Sequence, residues 1–189
     1  MIRIAIVGDI GSGKSYTAKL FGYPVFNADR EVASIYKSNI ACFKKLKKKL
    51  PDYFFDFPAK KKDIVKAIMA NQTNLKKITD IIHPEIRKRM NIFLKKNEKK
   101  KAVVLDIPLL LEKKINKKED TIIFIQSKKT ATLKMLKKRN NFDLKLLNKF
   151  KKIQLPLKYK KKKAQFIIKN NFTNECVKKS VNKILKKII

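Results

Sequence analysis

Histidine occurs once in this 189-residue chain, cysteine twice, glycine four times and tryptophan not at all. One histidine and two cysteines, Cys42 and Cys176, can build neither a disulfide framework nor a Cys/His metal cluster. Both thiols are expected to be reduced core residues of a cytosolic protein. Uncharged runs reach only about ten residues, where a bilayer span takes about twenty, so a membrane span is excluded. The opening MIRIAIVGD meets an acid at Asp9 and has no apolar signal region, so no secretion signal is expected.

Acids are scarce too. Fifteen Asp and Glu face 49 Lys and Arg, for a net charge of +34. Arginine is confined to Arg3, Arg30, Arg87, Arg89 and Arg139, so 44 of the 49 basic residues are lysine. A surface of this sign draws polyanions. A/T-rich coding, which favours Lys, Asn, Ile and Phe over Gly and Trp, writes the same surface with no nucleic-acid role. Arginine is the better residue for bidentate recognition of phosphate and guanine, and its scarcity speaks for the second reading. No nucleic-acid partner is expected. The lysine tracts at 44–49 and 160–163 read as solvated helix faces.

Hydrophobic residues make up 44% of the chain, enough for one domain's core. The β-branched run Ile2 to Val7, bounded by Gly8, predicts a buried strand. A loop over 8–15 leads to a helix over about 14–21, stopped at Gly22-Tyr23-Pro24. Val25-Phe26 predicts a second strand delivering Asn27, Ala28 and Asp29 to its carboxyl end. Residues 30–97 read as helical, with Pro84 in the first turn of a new helix. Further strands are expected at Ala102–Leu105, Thr121–Ile125 and Gln165–Ile168. Helices are expected at about 130–138, around Leu144–Phe150 and over the last dozen residues. Five apolar strands alternating with helices give an α/β three-layer fold with a parallel sheet.

Gly8-Asp9-Ile10-Gly11-Ser12-Gly13-Lys14-Ser15 matches G-x-x-x-x-G-K-S/T, the phosphate-binding P-loop, between a strand and a helix. Three of the four glycines lie in these eight positions. In this motif glycines let backbone N–H groups turn inward on phosphates. Lys14 reaches the β- and γ-phosphates, and the Ser15 hydroxyl ligates Mg²⁺. The helix N-terminus adds partial positive charge. An ATP- or GTP-binding site follows. Asp29, at the carboxyl edge of the sheet, is placed either to take a proton from an attacking hydroxyl or to cap the next helix. Asp106 ends an apolar strand in the Walker-B manner, as a ligand of Mg²⁺ directly or through water. His83 reads as structural or capping on its own. Arg139 is either a surface residue or one that closes over ATP and neutralises transition-state charge.

Together these blocks resemble the dephospho-CoA kinase family of P-loop proteins. GDIGSGKS is similar to the family's GGIGSGKS, and VFNAD (25–29) to VIDAD, whose second acid, here Asp29, is the proposed base. IIHPEIR (81–87), LDIPLLLE (105–112), KKRNN (137–141), Gln154 and FIIKNN (166–171) follow in family order and spacing. The resemblance implies a three-layer P-loop kinase fold: a core of 1–30, 84–138 and 161–189, a helical CoA-binding insert over 31–83 and a lid over 139–160. It implies Asp29, Lys14 and Arg139 as catalytic residues. ATP would be held by Gly8, Ile10, Gly11, Ser12, Gly13, Lys14, Ser15, Tyr16, Arg139 and Asn170, the last near adenine. Dephospho-CoA would be held by Asp29, His83, Arg87, Asp106, Pro108 and Leu109, and Mg²⁺ by Ser15 and Asp106. The implied reaction moves the ATP γ-phosphoryl group to the ribose 3′-hydroxyl of dephospho-CoA in the cytoplasm, with lid lysines closing over it. Departures from the pattern are Asp9 for a glycine, Asn27 for the first acid of VIDAD, Met135 for a lid arginine, and lysines at Lys158 and Lys160. A nucleoside monophosphate or other small hydroxyl acceptor, or a drifted nucleotide- or nucleic-acid-binding copy, are the alternatives.

Overall fold

The computed structural model describes residues 1–138 and 142–189. Arg139, expected to contact ATP, lies outside the described residues. The chain divides into two compact units, Met1–Asn27 with Lys96–Ile189, and Ala28–Lys95.

The first unit is built on five parallel strands: β1 (Ile2–Gly8), β2 (Val25–Asn27), β3 (Ala102–Asp106), β4 (Thr121–Gln126) and β5 (Phe166–Lys169). Their order is β2-β3-β1-β4-β5. This is the parallel α/β sheet expected from the apolar runs. Every residue of β3 is buried, as a strand covered on both faces must be. On one face, alternate residues Ile4, Ile6, Ala102, Val104, Ile123, Ile125 and Ile168 pack with Ala18 and Phe21 at α1 (Lys14–Leu20). Val177, Val181 and Ile184 of the C-terminal helix, Asn174–Ile188, complete that layer. The helix Leu157–Lys163 lies against β1 and β4. Because all pairings are parallel, Gly8, Asn27, Asp106, Gln126 and Lys169 end at one edge. Ligands of open α/β sheets bind at that edge.

The second unit is helical, as expected, in four pieces: α2 (Ala28–Ser38), α3 (Ile40–Lys49), α4 (Lys61–Ala70) and α5 (Gln72–Lys96). The new helix expected at Pro84 does not occur. α5 runs straight through that residue. Its buried stripe, Leu75, Ile78, Ile82, Ile86 and Met90, continues across the proline without a break. Pro84 and Asp80, whose carbonyl loses its i+4 donor, are both exposed, so water can take up the orphaned oxygen. The 83/84 boundary therefore falls inside one helix, and the 160/161 boundary inside another, Leu157–Lys163. Within this unit Arg89 joins α5 to α2. It donates from Nη1 to Glu31 at 3.0 Å and to Ser34 Oγ at 3.1 Å, and from Nε to Glu85 at 3.3 Å.

Neither cysteine is in a disulfide. Cys42 is a core residue, and burial pushes its thiol up. Cys176 is only half-buried, against the expectation of a core thiol, because it lies one position off the buried Val177 stripe of its helix.

One buried ion pair anchors the start of the sheet. Arg3 meets Asp120 through Nε–Oδ1 at 2.9 Å and Nη2–Oδ2 at 3.1 Å. Burial pushes the Asp120 carboxyl up, while the backbone N–H of Lys117 and the Arg3 guanidinium pull it back. Removing the cation leaves a buried carboxylate alone. Arg3→Met is therefore expected to cost about 3–5 kcal/mol at pH 7. Without Arg3 the folded state holds the Asp120 proton to higher pH than the unfolded chain, whose value is about 3.9. Folded stability then falls as pH rises through that window, so the deficit shrinks on acidification. Urea unfolding at pH 7 and pH 4.5 measures this, and equal deficits at both would refute it.

Candidate active site

The turn between β1 and α1 carries the P-loop. Gly11 and Gly13 take positive φ, 81° and 92°, where a side chain is strained. Space forbids one as well: a Cβ at Gly11 would lie 2.7 Å from Leu136 Cγ, and one at Gly13 would strike the Asn170 amide. Ser12 is fully buried, and its Oγ has no hydrogen-bond partner among the described residues. The turn thus retains an unused donor beside the start of a helix, where anions bind.

Lys14 is 9% exposed. Its Nζ donates to the carbonyl of Asp9 at 2.7 Å and to that of Gly8 at 3.3 Å, folding the ammonium over its own turn. Ser15 and Tyr16 are exposed on the first turn of α1, and the Tyr16 hydroxyl donates to Asn174 Oδ1. Asp9 is used locally: its Oδ1 accepts from the Ile10 N–H at 2.7 Å. A carboxylate therefore occupies one of the backbone donors the motif offers to phosphate.

Asp106 ends β3 beside the turn, 2% exposed. Asn27 ends β2 in register with it. Asn27 Nδ2 donates to Asp106 Oδ2 at 2.5 Å and to Ser15 Oγ at 3.5 Å. The structure thus brings Ser15 and Asp106, the expected metal ligands, onto one amide. A hydroxyl and a carboxylate are hard oxygen donors that suit Mg²⁺, which takes one or two carboxylates and its remaining ligands from phosphates and water. No group of three or more His, Cys, Asp or Glu able to hold a metal occurs among the described residues.

Asn170 is 4% exposed. Its Nδ2 donates to the Ser12 carbonyl at 2.8 Å, and its Oδ1 accepts from the Phe172 N–H at 2.7 Å. It props the P-loop from below. Pro108 and Leu109 are half-buried in the turn after β3. Lys160 is not part of a solvated face. It is 1% exposed and paired with Glu112 at 2.7 Å. Glu112 also accepts from the Leu155 N–H at 3.0 Å, and Lys160 reaches Gln154 Oε1 at 3.3 Å. This knot ties the segment after β3 to the 154–160 region. It is invisible in a lysine tract read as uniform charge.

In the helical unit Asp29 is exposed in the first turn of α2, which begins immediately after β2. His83, half-buried, and Arg87, exposed, stand four residues apart on α5 and share a face.

A family model described as dephospho-CoA kinase matches residues 2–175. The chain belongs to the dephospho-CoA kinase family. Among curated relatives, the dephospho-CoA kinase of Wolbachia pipientis is 31% identical over 129 residues and that of Bartonella quintana 33% over 129. Each alignment covers 66% of this chain and 66% of the relative, just under two thirds of its length. Among solved structures, the Thermus thermophilus protein TT1252 superimposes with TM-score 0.80 at 25% identity, covering 100% of this chain and 98% of that one. Dephospho-CoA kinase from Campylobacter jejuni gives 0.63 at 22%, with 100% and 98% covered. Shikimate kinase from Bacteroides thetaiotaomicron shares the fold at TM-score 0.52. The three-layer fold expected for this kinase family is therefore present.

Asp9 is the one carboxylate among residues 8–15, and its Oδ1 holds the Ile10 N–H. Replacing it by glycine frees the Ile10 N–H and removes a negative charge from the turn. Asp9→Gly is expected to bind ATP several-fold more tightly in calorimetry with Mg²⁺ present. Unchanged or weaker affinity would show that the carboxylate does not compete with phosphate.

Proposed function

We propose that this chain phosphorylates dephospho-CoA: the γ-phosphoryl group of ATP moves to the ribose 3′-hydroxyl, giving CoA and ADP, the last step of CoA biosynthesis. The observation that carries this reading is the joint occurrence of the family match over 2–175 with the P-loop set beside Asp106 at one sheet edge.

The division of labour follows from the chemistry of each group. Lys14 swings from its carbonyl partners to the β- and γ-phosphates. The N–H groups of residues 10–15 cradle the phosphate oxygens. Ser15 and Asp106 would hold Mg²⁺, which when bound neutralises charge on the bridging phosphate oxygens. Asn170 keeps the turn in shape beneath them. Asp29 accepts the proton of the 3′-hydroxyl as the new O–P bond forms and the bond to the β-phosphate oxygen breaks. Arg139, at the edge of the 139–160 segment, supplies positive charge to the leaving ADP. His83, Arg87, Pro108 and Leu109 hold dephospho-CoA. No helix among the described residues is long and apolar enough to cross a membrane, and we place the reaction in the cytoplasm.

An acceptor panel tests this directly. ADP release from Mg·ATP should depend on dephospho-CoA and exceed turnover with AMP, CMP or shikimate. Higher turnover on any of those would reassign the substrate. Asp29→Asn should lower kcat by about 10² or more with ATP affinity within twofold. Full activity would remove Asp29 from the chemistry.

A further inference from the structure

Phosphoryl transfer as described leaves Asn27 without a task, yet its amide stands between two polar side chains at the sheet edge. It closes β2 in register with Asp106, the closing residue of β3. Its single amide nitrogen reaches both oxygen donors suited to a divalent cation, Asp106 Oδ2 at 2.5 Å and Ser15 Oγ at 3.5 Å. We propose that Asn27 is a positioning residue that aligns these two ligands and, because it is neutral, makes divalent-cation binding depend on the nucleotide.

An amide donor takes up one oxygen of the Asp106 carboxylate and leaves the other for a cation or its water. It also fixes the carboxylate rotamer, so no alignment entropy is lost when a cation arrives. With Asn27 neutral, the protein offers one carboxylate and one hydroxyl, too little for Mg²⁺ without phosphate oxygens. An acid here would put two carboxylates within hydrogen-bond distance of each other. Like charges that close disfavour joint ionisation unless a cation lies between them. A standing metal site in the nucleotide-free protein would result. Asn27 avoids it, and the cation enters with the nucleotide. The inference rests on the phosphoryl-transfer reading for its purpose, but its evidence is the Ser15–Asn27–Asp106 geometry.

The test uses Mn²⁺ as a paramagnetic probe and a non-hydrolysable ATP analogue, with full-length wild type, Asn27→Asp and Asn27→Ala. Free Mn²⁺ is followed by electron paramagnetic resonance without nucleotide. Analogue affinity is measured by calorimetry in saturating Mn²⁺ and again in EDTA. Asn27→Asp is expected to bind Mn²⁺ at least tenfold more tightly than wild type without nucleotide. Asn27→Ala is expected to lose about tenfold in analogue affinity with Mn²⁺ and to stay within twofold of wild type in EDTA. A purely structural role would lower both affinities of Asn27→Ala together, and that result overturns the proposal. So does an Asn27→Asp protein that binds Mn²⁺ no better than wild type. If Asn27→Asp does not fold, the Asn27→Ala affinity ratio decides alone. If wild type takes up no analogue in either condition, the kinase reading fails, and the nucleotide-free comparison still decides the role of Asn27.

Discussion

Parallel pairing is the constraint from which the site follows. A parallel ladder needs a crossover between successive strands, and the crossovers place helices on both faces of the sheet. Every strand then points its carboxyl end the same way, and loops at that edge become neighbours regardless of their distance in sequence. Gly8, Asn27 and Asp106 are brought together in this way by the β2-β3-β1 pairing. The dry sheet interior, with Ile4, Ile6, Val104 and Ile123 at zero exposure, makes the edge rigid enough for these side chains to keep their spacing.

Rigidity alone does not hold a glycine-rich turn in shape, because glycine costs more conformational entropy than any other residue to order. Here the cost is offset by polar bracing from outside the turn. Asn170 spends both ends of its amide on backbone, one on Ser12 and one on Phe172. Thr17 adds a bond from its hydroxyl to the Gly13 carbonyl at 3.0 Å. Lys14 lies over the same loop through two carbonyls. These partners come from α1 and from the segment after β5, so the turn is set by the packing of α1 and the C-terminal helix on the sheet. Asn170 was expected near adenine; its observed bonds make it a support of the glycine-rich turn.

Much of this was legible beforehand, for physical reasons that can be named. A strand buried on both faces must be a short, nearly pure apolar run, and the runs at 2–8, 102–106 and 121–126 have that character, while the edge strands at 25–27 and 166–169 are shorter and partly exposed. The P-loop is legible because its geometry tolerates so few residue types. Pro84 misled because a proline reads locally as the first turn of a new helix, while helix continuity was decided by the long-range burial of Ile78, Ile82, Ile86 and Met90. Lys160 was hidden for a related reason: in a run of lysines nothing local marks the one whose ammonium finds Glu112 across the fold. Asn27 stood out only as a departure from a pattern. Its meaning needed the register that sets it opposite Asp106.

With 15 acids against 49 basic residues, the placement of negative charge in this family member is more informative than that of positive charge. Lysines can occupy almost any exposed position at little cost, and single surface pairs such as Glu175–Lys179 stabilise little. The acids that are buried cannot be incidental, because an unpartnered buried carboxylate costs several kcal/mol. Asp120 meets Arg3, Glu112 meets Lys160, and both ties join distant segments. Asp106 differs: it accepts a hydrogen bond from a neutral amide, Asn27. An amide takes up one oxygen of a carboxylate and leaves the other for a further ligand. That distinction separates the acids tied to cations of the fold from Asp106, the acid we propose for the metal site.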